Sequence, residues 1–230
     1  MDDIKLAASN DTVFINCPFD TAYYPIFQAI VFAVYRCGFY PVTALDKDDG
    51  TESRLLKIIR MIKECRYGIH DLSRIEYSPD NFPRFNMPFE LGIFFGAKYL
   101  GDRIQKGKNA LIFERVKFTY QKFISDLNGI DPKAHNNDPL TAIELISDWI
   151  RTASGRKTIP GYAIFKTEYK EFSEKLPAIV TKLGFEISNL PLTEYRTIVE
   201  AAIREKLSGK IKKRDGSVKN LSKNKKRRKQ

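Results

Sequence analysis

Between residues 12 and 113 short β-rich runs alternate with longer helix-like segments, and few folds accept that order. Thr12-Val13-Phe14-Ile15 reads as a strand that ends before Pro18, because proline cannot donate to a sheet ladder. Pro25 to Cys37 is apolar almost all round, and Gly38 follows as a helix-stop signal, so a buried helix is predicted there. Phe39 to Ala44 reads as a second short strand, placed near an edge by Pro41. Ser53 suits the N-cap of a helix over Arg54–Cys65, where Leu55, Ile58, Ile59 and Ile62 recur at helical spacing. Tyr67–Asp71 is a third strand. Leu72–Asn86 is a long loop carrying Pro79 and Pro83. Pro88 suits the opening turn of a helix that runs to about Leu100, and Ala110–Phe113 is a fourth strand.

Alternation of this kind calls for a parallel sheet covered by helices on both faces, and right-handed crossovers leave few topologies. The expected class is α/β: a flavodoxin-like doubly wound parallel sheet, with strand 1 beside strand 3 at a topological switch point. After Glu114 the pattern turns helical, over about Phe118–Leu127, Pro139–Thr152, Tyr162–Leu183 and Thr193–Leu207. Pro177 should kink the third of these or begin its second half, and Phe185-Glu186-Ile187 is a candidate fifth strand. Three parts follow: an α/β core over 1–115, a helical extension over 116–209 packed on it, and a tail over 210–230.

The charge separates the tail from the rest. The chain carries a net +11, yet Lys210–Gln230 holds 11 Lys+Arg against one acid, Asp215, while residues 1–209 hold 28 Lys+Arg against 27 acids. The body is therefore near neutral, and its surface is not read as nucleic-acid-binding on charge grounds. The tail is basic, poor in apolar residues and expected to be disordered when free. It serves either as a solubilising extension or as a weak contact to nucleic-acid phosphate or an acidic partner.

An apolar content of 43% excludes collagen and wholesale disorder. Three cysteines, Cys17, Cys37 and Cys65, form no CxxC pair, which fits free thiols in a reducing compartment. The opening Met1-Asp2-Asp3-Ile4-Lys5 is not signal-like, and the longest apolar run, Ala29–Tyr35, is far short of the ~20 residues of a membrane span. These features predict a cytoplasmic protein without a membrane partner.

In a doubly wound sheet ligands bind beyond the carboxyl ends of the strands, at the switch point. Three segments meet there: Asn16-Cys17-Pro18-Phe19-Asp20 after strand 1, His70-Asp71-Leu72-Ser73 after strand 3, and Asn86-Met87-Pro88-Phe89-Glu90-Leu91-Gly92 at the start of the third helix. Asp71 and Glu90 thereby share one crevice. Two carboxylates facing a sugar can break a glycosidic bond, one meeting the oxocarbenium-like carbon and the other holding hydroxyls or a proton. Glu90 has apolar neighbours, which favour a desolvated functional carboxylate over a mere complement to the helix dipole. Asp71 is read evenly as a site residue or as a turn former at a strand end.

Phe19 suits a stacking surface for a base or the core. Arg84 and Arg54 suit phosphate, with a solvated arginine the plainer reading of Arg54. Asn86 would bond a ribose hydroxyl or cap its helix. Cys17 is read as a small buried thiol. His70 and His135 have no zinc-ligand spacing, so no metal is expected. GxGxxG, GxxxxGK[ST] and GxSxG are all missing from the sequence, so dinucleotide binding of the Rossmann type, P-loop hydrolysis and α/β-hydrolase chemistry lack their motifs.

Val13-Phe14-Ile15-Asn16-Cys17-Pro18-Phe19, Ile69-His70-Asp71-Leu72-Ser73 and Phe89-Glu90-Leu91-Gly92 resemble the corresponding segments of nucleoside 2-deoxyribosyltransferases. That family shares a flavodoxin-like core and a helix-borne glutamate with Toll/interleukin-1 receptor (TIR) domains, many of which cleave NAD in bacterial defence against phage. The resemblance spans about residues 12–115. It implies that Glu90 is the catalytic glutamate and Asp71 the strand-end aspartate near the substrate. Asn16, Pro18, Phe19, Asp20, Ser73, Arg84 and Asn86 would then line the substrate site. It implies NAD or a related nucleotide as substrate, no separate cofactor, and a homo-oligomer on activation. The departure is Arg84-Phe85-Asn86-Met87-Pro88, where the transferases carry Asp-Gly-Thr; it points away from deoxyribosyl transfer itself. The alternatives are a non-catalytic nucleotide-binding module, or an assembly protein whose tail contacts nucleic acid.

Overall fold

A computed structural model describes residues 11–46, 50–74 and 85–207. Its elements run β1 (Thr12–Asn16), α1 (Tyr24–Arg36), β2 (Tyr40–Thr43), α2 (Arg54–Glu64), β3 (Tyr67–Asp71), α3 (Asn86–Leu100), α4 (Arg103–Lys106), β4 (Asn109–Glu114), β5 (Lys133–Ala134), α5 (Pro139–Ser154) and α6 (Tyr162–Lys182), followed by a helix over 192–207. The strands form one parallel sheet in the order β2-β1-β3-β4-β5, which is the flavodoxin-like order. The expected fold class is the observed one.

β1 and β3 are buried at every residue, as strands covered on both faces must be. On one face α2 and α3 enclose Phe14, Val42, Ile58, Ile62 and Phe94. On the other, α1 packs against α5, and Phe32 of α1 meets Tyr169 and Phe172 of α6 at ring distances of 5.1 and 5.5 Å. α1 is apolar all round because both of its sides are covered. Its end is set by Gly38 at φ +80°, a conformation glycine adopts without strain, which lets the Phe39 N–H bond back to the Val34 carbonyl at 3.1 Å.

Several sequence expectations are corrected. The fifth strand is Lys133–Ala134, not Phe185-Glu186-Ile187, where Ile187–Asn189 winds as a 3₁₀ turn. Two residues of middling polarity carry no strand pattern; the backbone ladder to Phe113 and Glu114 defines them. The helix expected over Phe118–Leu127 is two short 3₁₀ turns, Thr119–Lys122 and Ser125–Leu127. Phe118 is left-handed at φ 67°, and the Glu114 carboxylate takes the N–H groups of Phe118 and Tyr120, which stops a continuous helix from forming. α6 runs through Pro177 as one helix. α4 was not foreseen; Asp102 caps it by accepting from the Ile104 and Gln105 amides, both at 2.9 Å.

The chain divides into two compact units, one up to Ile179 and one from Val180, with the division in the last turn of α6. The second contains the 3₁₀ turn at Ile187–Asn189 and the helix over 192–207. The tail over 210–230 lies outside the described residues, as does most of the loop after Ser73. Among the described residues no helix is long and apolar enough to cross a membrane.

Candidate functional site

The candidate site lies where β1, β3 and β4 end side by side. Register sets Asn16 opposite His70 and Asp71 opposite Phe113, so the last strand residues emerge at one edge of the sheet. α3 is tied to this edge at its first turn. Asn16 Nδ2 donates to the Met87 carbonyl at 2.8 Å and lies 3.1 Å from His70 Nδ1. α3 has no side-chain cap, so Asn86 does not serve as one. The bond from Asn16 is thus a specific link between β1 and the helix that carries Glu90.

His70 is part of the core. The contact from Asn16 leaves the ring proton on Nε2, by the hydrogen-bond pattern. That nitrogen has no partner among the described residues, and the His70 ring packs against Phe94 with ring centres 4.8 Å apart. The approach demands glycine at position 68, where a Cβ would come within 2.8 Å of both His70 Nε2 and the Phe94 ring. Burial, then the charge of Lys108, push the His70 imidazole down to about 3, so it stays neutral.

Asp71 is fully buried, and its carboxylate accepts from three donors. Oδ1 accepts from the Ser73 amide at 2.7 Å, an Asx-type turn. Oδ2 accepts from the Tyr23 hydroxyl and from His135 Nε2 at 3.0 Å. Burial alone would raise its pKa, but the bonds from His135, Ser73 and Tyr23 hold it below the ordinary value. Three of the roughly four lone-pair sites of Asp71 are thereby taken by donors from the protein itself. Its geometry is that of a positioning group, and the turn-forming alternative describes it best.

His135 follows directly on β5. Its backbone N–H donates to the Glu114 carbonyl at 3.0 Å. Asn136 and Asn137 are left-handed at φ 53° and 55°, a conformation asparagine tolerates, and this turn aims the Asn137 N–H at His135 Nδ1 at 3.0 Å. The ring proton is thereby assigned to Nε2, facing Asp71 and, at 2.9 Å, Ser73 Oγ. Ser73, His135 and Asp71 are in contact, yet they do not form a hydrolytic triad. A triad needs serine and aspartate on opposite ring nitrogens. Here both lie on Nε2, and Nδ1 is occupied by the backbone.

Glu90 presents the opposite case. It lies on the inward side of α3 and is 6% exposed. Among the described residues its carboxylate accepts no hydrogen bond. Burial pushes it up to about 7, and the Arg54 guanidinium offsets this only in part. Cys17 reports where the carboxylates converge: burial, then the charges of Asp71, Glu90 and Asp20, raise its thiol well above the ordinary value. That thiol is not a nucleophile at neutral pH.

At the rim, Asp20 accepts from the Tyr23 amide at 3.1 Å and pairs with Arg74 at 3.2 Å. Pro18 is buried, while Phe19 is 38% exposed and stands edge-on to Phe27. Asn86 is exposed at the first turn of α3. Arg84 lies outside the described residues.

No family model, curated protein or solved structure matches the chain. The site therefore has to be read from its own groups.

The structure brings together Asn16, Cys17, Asp20, Asp71, Ser73 and Glu90 from the sequence-derived set. It adds three residues that the sequence reading did not place there: Tyr23, Arg74 and His135. His135 lies 64 positions from Asp71 in the chain, and only the β4–β5 ladder brings it home. Tyr23 and Arg74 sit next to segments already singled out, so adjacency to Asp20 and Ser73 was the available signal. Among the described residues no three His, Cys, Asp or Glu side chains cluster as metal ligands.

Proposed function

We propose that this crevice binds a nucleotide and that Glu90 acts at the glycosidic carbon, making the protein an N-glycosidase of NAD or a related nucleotide. The observation that carries the reading is Glu90: a desolvated carboxylate, pushed up to about 7 and free of hydrogen bonds among the described residues, beside the switch point of a flavodoxin-like sheet. A carboxylate left without donors keeps its charge density for a cation that forms next to it. An oxocarbenium-like ribosyl carbon is such a cation.

The three donors on Asp71 narrow the chemistry further: they hold that carboxylate in the fold and leave Glu90 as the one to meet the sugar. A single carboxylate suffices when the leaving group departs without a proton. Nicotinamide does so: it takes the electron pair of the N-glycosidic bond and leaves neutral from a cationic ring. Glu90 then stabilises or captures the ribosyl carbon, water adds to that carbon, and the water's second proton passes to solvent. Asn16 fixes α3, and so Glu90, against β1; Phe19 offers an exposed ring at the rim for a base.

The test is product analysis after incubation with NAD at high protein concentration. The parent protein should release nicotinamide, and Glu90→Gln should lower the rate at least about 100-fold while keeping the fold, the scale of losing a principal electrostatic group. The rate should rise with pH through about 7, as Glu90 ionises. Equal rates for parent and variant would overturn the role of Glu90. Tight nucleotide binding without any product would instead make the crevice a binding module.

A further inference from the structure

α3 is apolar on two opposite sides. Its inward side, with Met87, Glu90, Leu91 and Phe94, is buried. On the outward side, positions 85, 89, 92, 96, 99 and 100 follow one another at helical spacing and make one stripe. Phe85, Phe89, Tyr99 and Leu100 are 63, 57, 66 and 88% exposed, and Ile104 on the adjoining α4 is 74% exposed. The stripe holds no charged side chain. The lysine of α3, Lys98, donates its ammonium to the Lys108 carbonyl at 2.7 Å. A helix apolar all round is ordinarily enclosed, and among the described residues this one is covered on one side only.

Gly92 and Gly96 occupy the midline of the stripe. A glycine inside a helix lowers stability relative to alanine, because the unfolded chain is freer there. Among the described residues no close contact requires either one: a Cβ at Gly92 or Gly96 would meet no atom within 4 Å. A glycine pair four residues apart lets a second helix approach the backbone closely, as it does between membrane helices.

The area fits a partner of the same kind. Five large side chains, each more than half exposed, amount to roughly 600 Å² of apolar surface at the 150–250 Å² that side chains of this size carry. That is the upper end of the largest apolar patch on an ordinary monomer, about 300–600 Å². Doubled by a symmetric contact, it reaches the ~1,200 Å² at which specific interfaces begin. An uncharged stripe offers nothing to a charged partner, whereas a two-fold contact places the same surface on itself and needs no charge complementarity. We propose that the chain forms a homodimer through α3, with the Gly92–Gly96 midlines of two copies crossing and Phe89, Tyr99 and Leu100 packing around them. This does not rest on the reading of Glu90, which lies on the inward side of the same helix.

Sedimentation equilibrium on the full chain tests it. The expected result is a mass that rises toward twice the chain mass across the micromolar range. Leu100→Glu and Gly96→Ile should each weaken association at least about tenfold, as loss of a central interface residue does. Neither should disturb the fold, since one side chain is almost wholly exposed and the other position is open, and circular dichroism checks this. Gly92→Ala with Gly96→Ala should raise the thermal midpoint of the monomer while weakening the dimer. A monomer at every concentration, or a dimer indifferent to these substitutions, overturns the proposal. So does a monomer that binds neutral lipid vesicles through this face and loses that binding in Leu100→Glu.

Discussion

Asp71 and Glu90 both act on Cys17 at the same end of the sheet, both are largely removed from water, and they are shifted in opposite directions. Asp71 is the more buried of the two, yet its carboxyl is held below the ordinary value. Glu90 retains slight exposure, yet its carboxyl is pushed up to about 7. The difference lies in donors. Three groups from three parts of the chain, Tyr23, Ser73 and His135, converge on Asp71. Among the described residues none converges on Glu90. Burial sets the cost of a charge, and local hydrogen bonds decide whether that cost is met. Asp71 is thereby tied into the fold, while Glu90 has no such donors among the described residues.

The sharpest way to break this contrast is to spoil the hydrogen-bonded partner. Asp71→Asn keeps the shape but turns an NH₂ toward buried donors. It should cost about 3 kcal/mol of folding stability by denaturant titration, since several buried groups lose their acceptor together. A loss under ~1 kcal/mol would mean that the cluster is not what holds β3 to β5.

Glu90→Gln should act with the opposite sign. The folded value of Glu90 exceeds its unfolded value, so the folded state keeps the proton longer. Its ionisation therefore costs nothing below about pH 4.5, costs progressively more up to about 7, and costs the full amount above that. Removing it should leave stability unchanged at pH 4 and raise it by about 3 kcal/mol at pH 8, the order set by a shift of this size. Asp71 works in the other window. Its contribution is present above its unfolded value of 3.8 and is lost as the pH falls through its lower folded value. Together the two carboxylates predict a stability maximum on the acid side of neutrality. A profile in which Glu90→Gln has no pH-dependent effect would remove the desolvation argument.

Tyr23→Phe sharpens the comparison with the smallest change. It deletes one of the three donors to Asp71 and nothing else. A hydrogen bond to a charged group of this kind contributes about 2 kcal/mol, and its loss should also bring the Asp71 carboxyl back toward its ordinary range. Carboxyl chemical shifts followed through acid titration would measure the second effect, and an unmoved midpoint would show that Tyr23 is a bystander.

The legible parts of this molecule are those with a local period. The strands at 12–16, 40–43, 67–71 and 109–114 and the helices between them follow from apolar runs, glycine stops and proline placements. The meeting of Asn16, Asp71 and Glu90 at one edge follows from topology once those elements are known. The roles inside the crevice were less legible. Asn86 offered itself as a helix cap, but the helix starts without one, and Asn16 supplies the tie to the Met87 carbonyl instead. The 118–127 segment has helix-like composition, but the Glu114 carboxylate and a left-handed Phe118 break it into turns.

Sequence alone determined the class of fold, because the alternation of periods two and 3.6 depends only on which side chains must leave water. It also placed a glutamate on an apolar helix opening at the switch point. Which carboxylate would be hydrogen-bonded was decided by tertiary structure. That outcome turns on whether donors 48 and 64 residues away in the chain arrive at Asp71, and among the described residues none arrives at Glu90. Such donors are invisible to any local window, because a hydrogen bond depends on position to a fraction of an ångström and only the packed sheet supplies that.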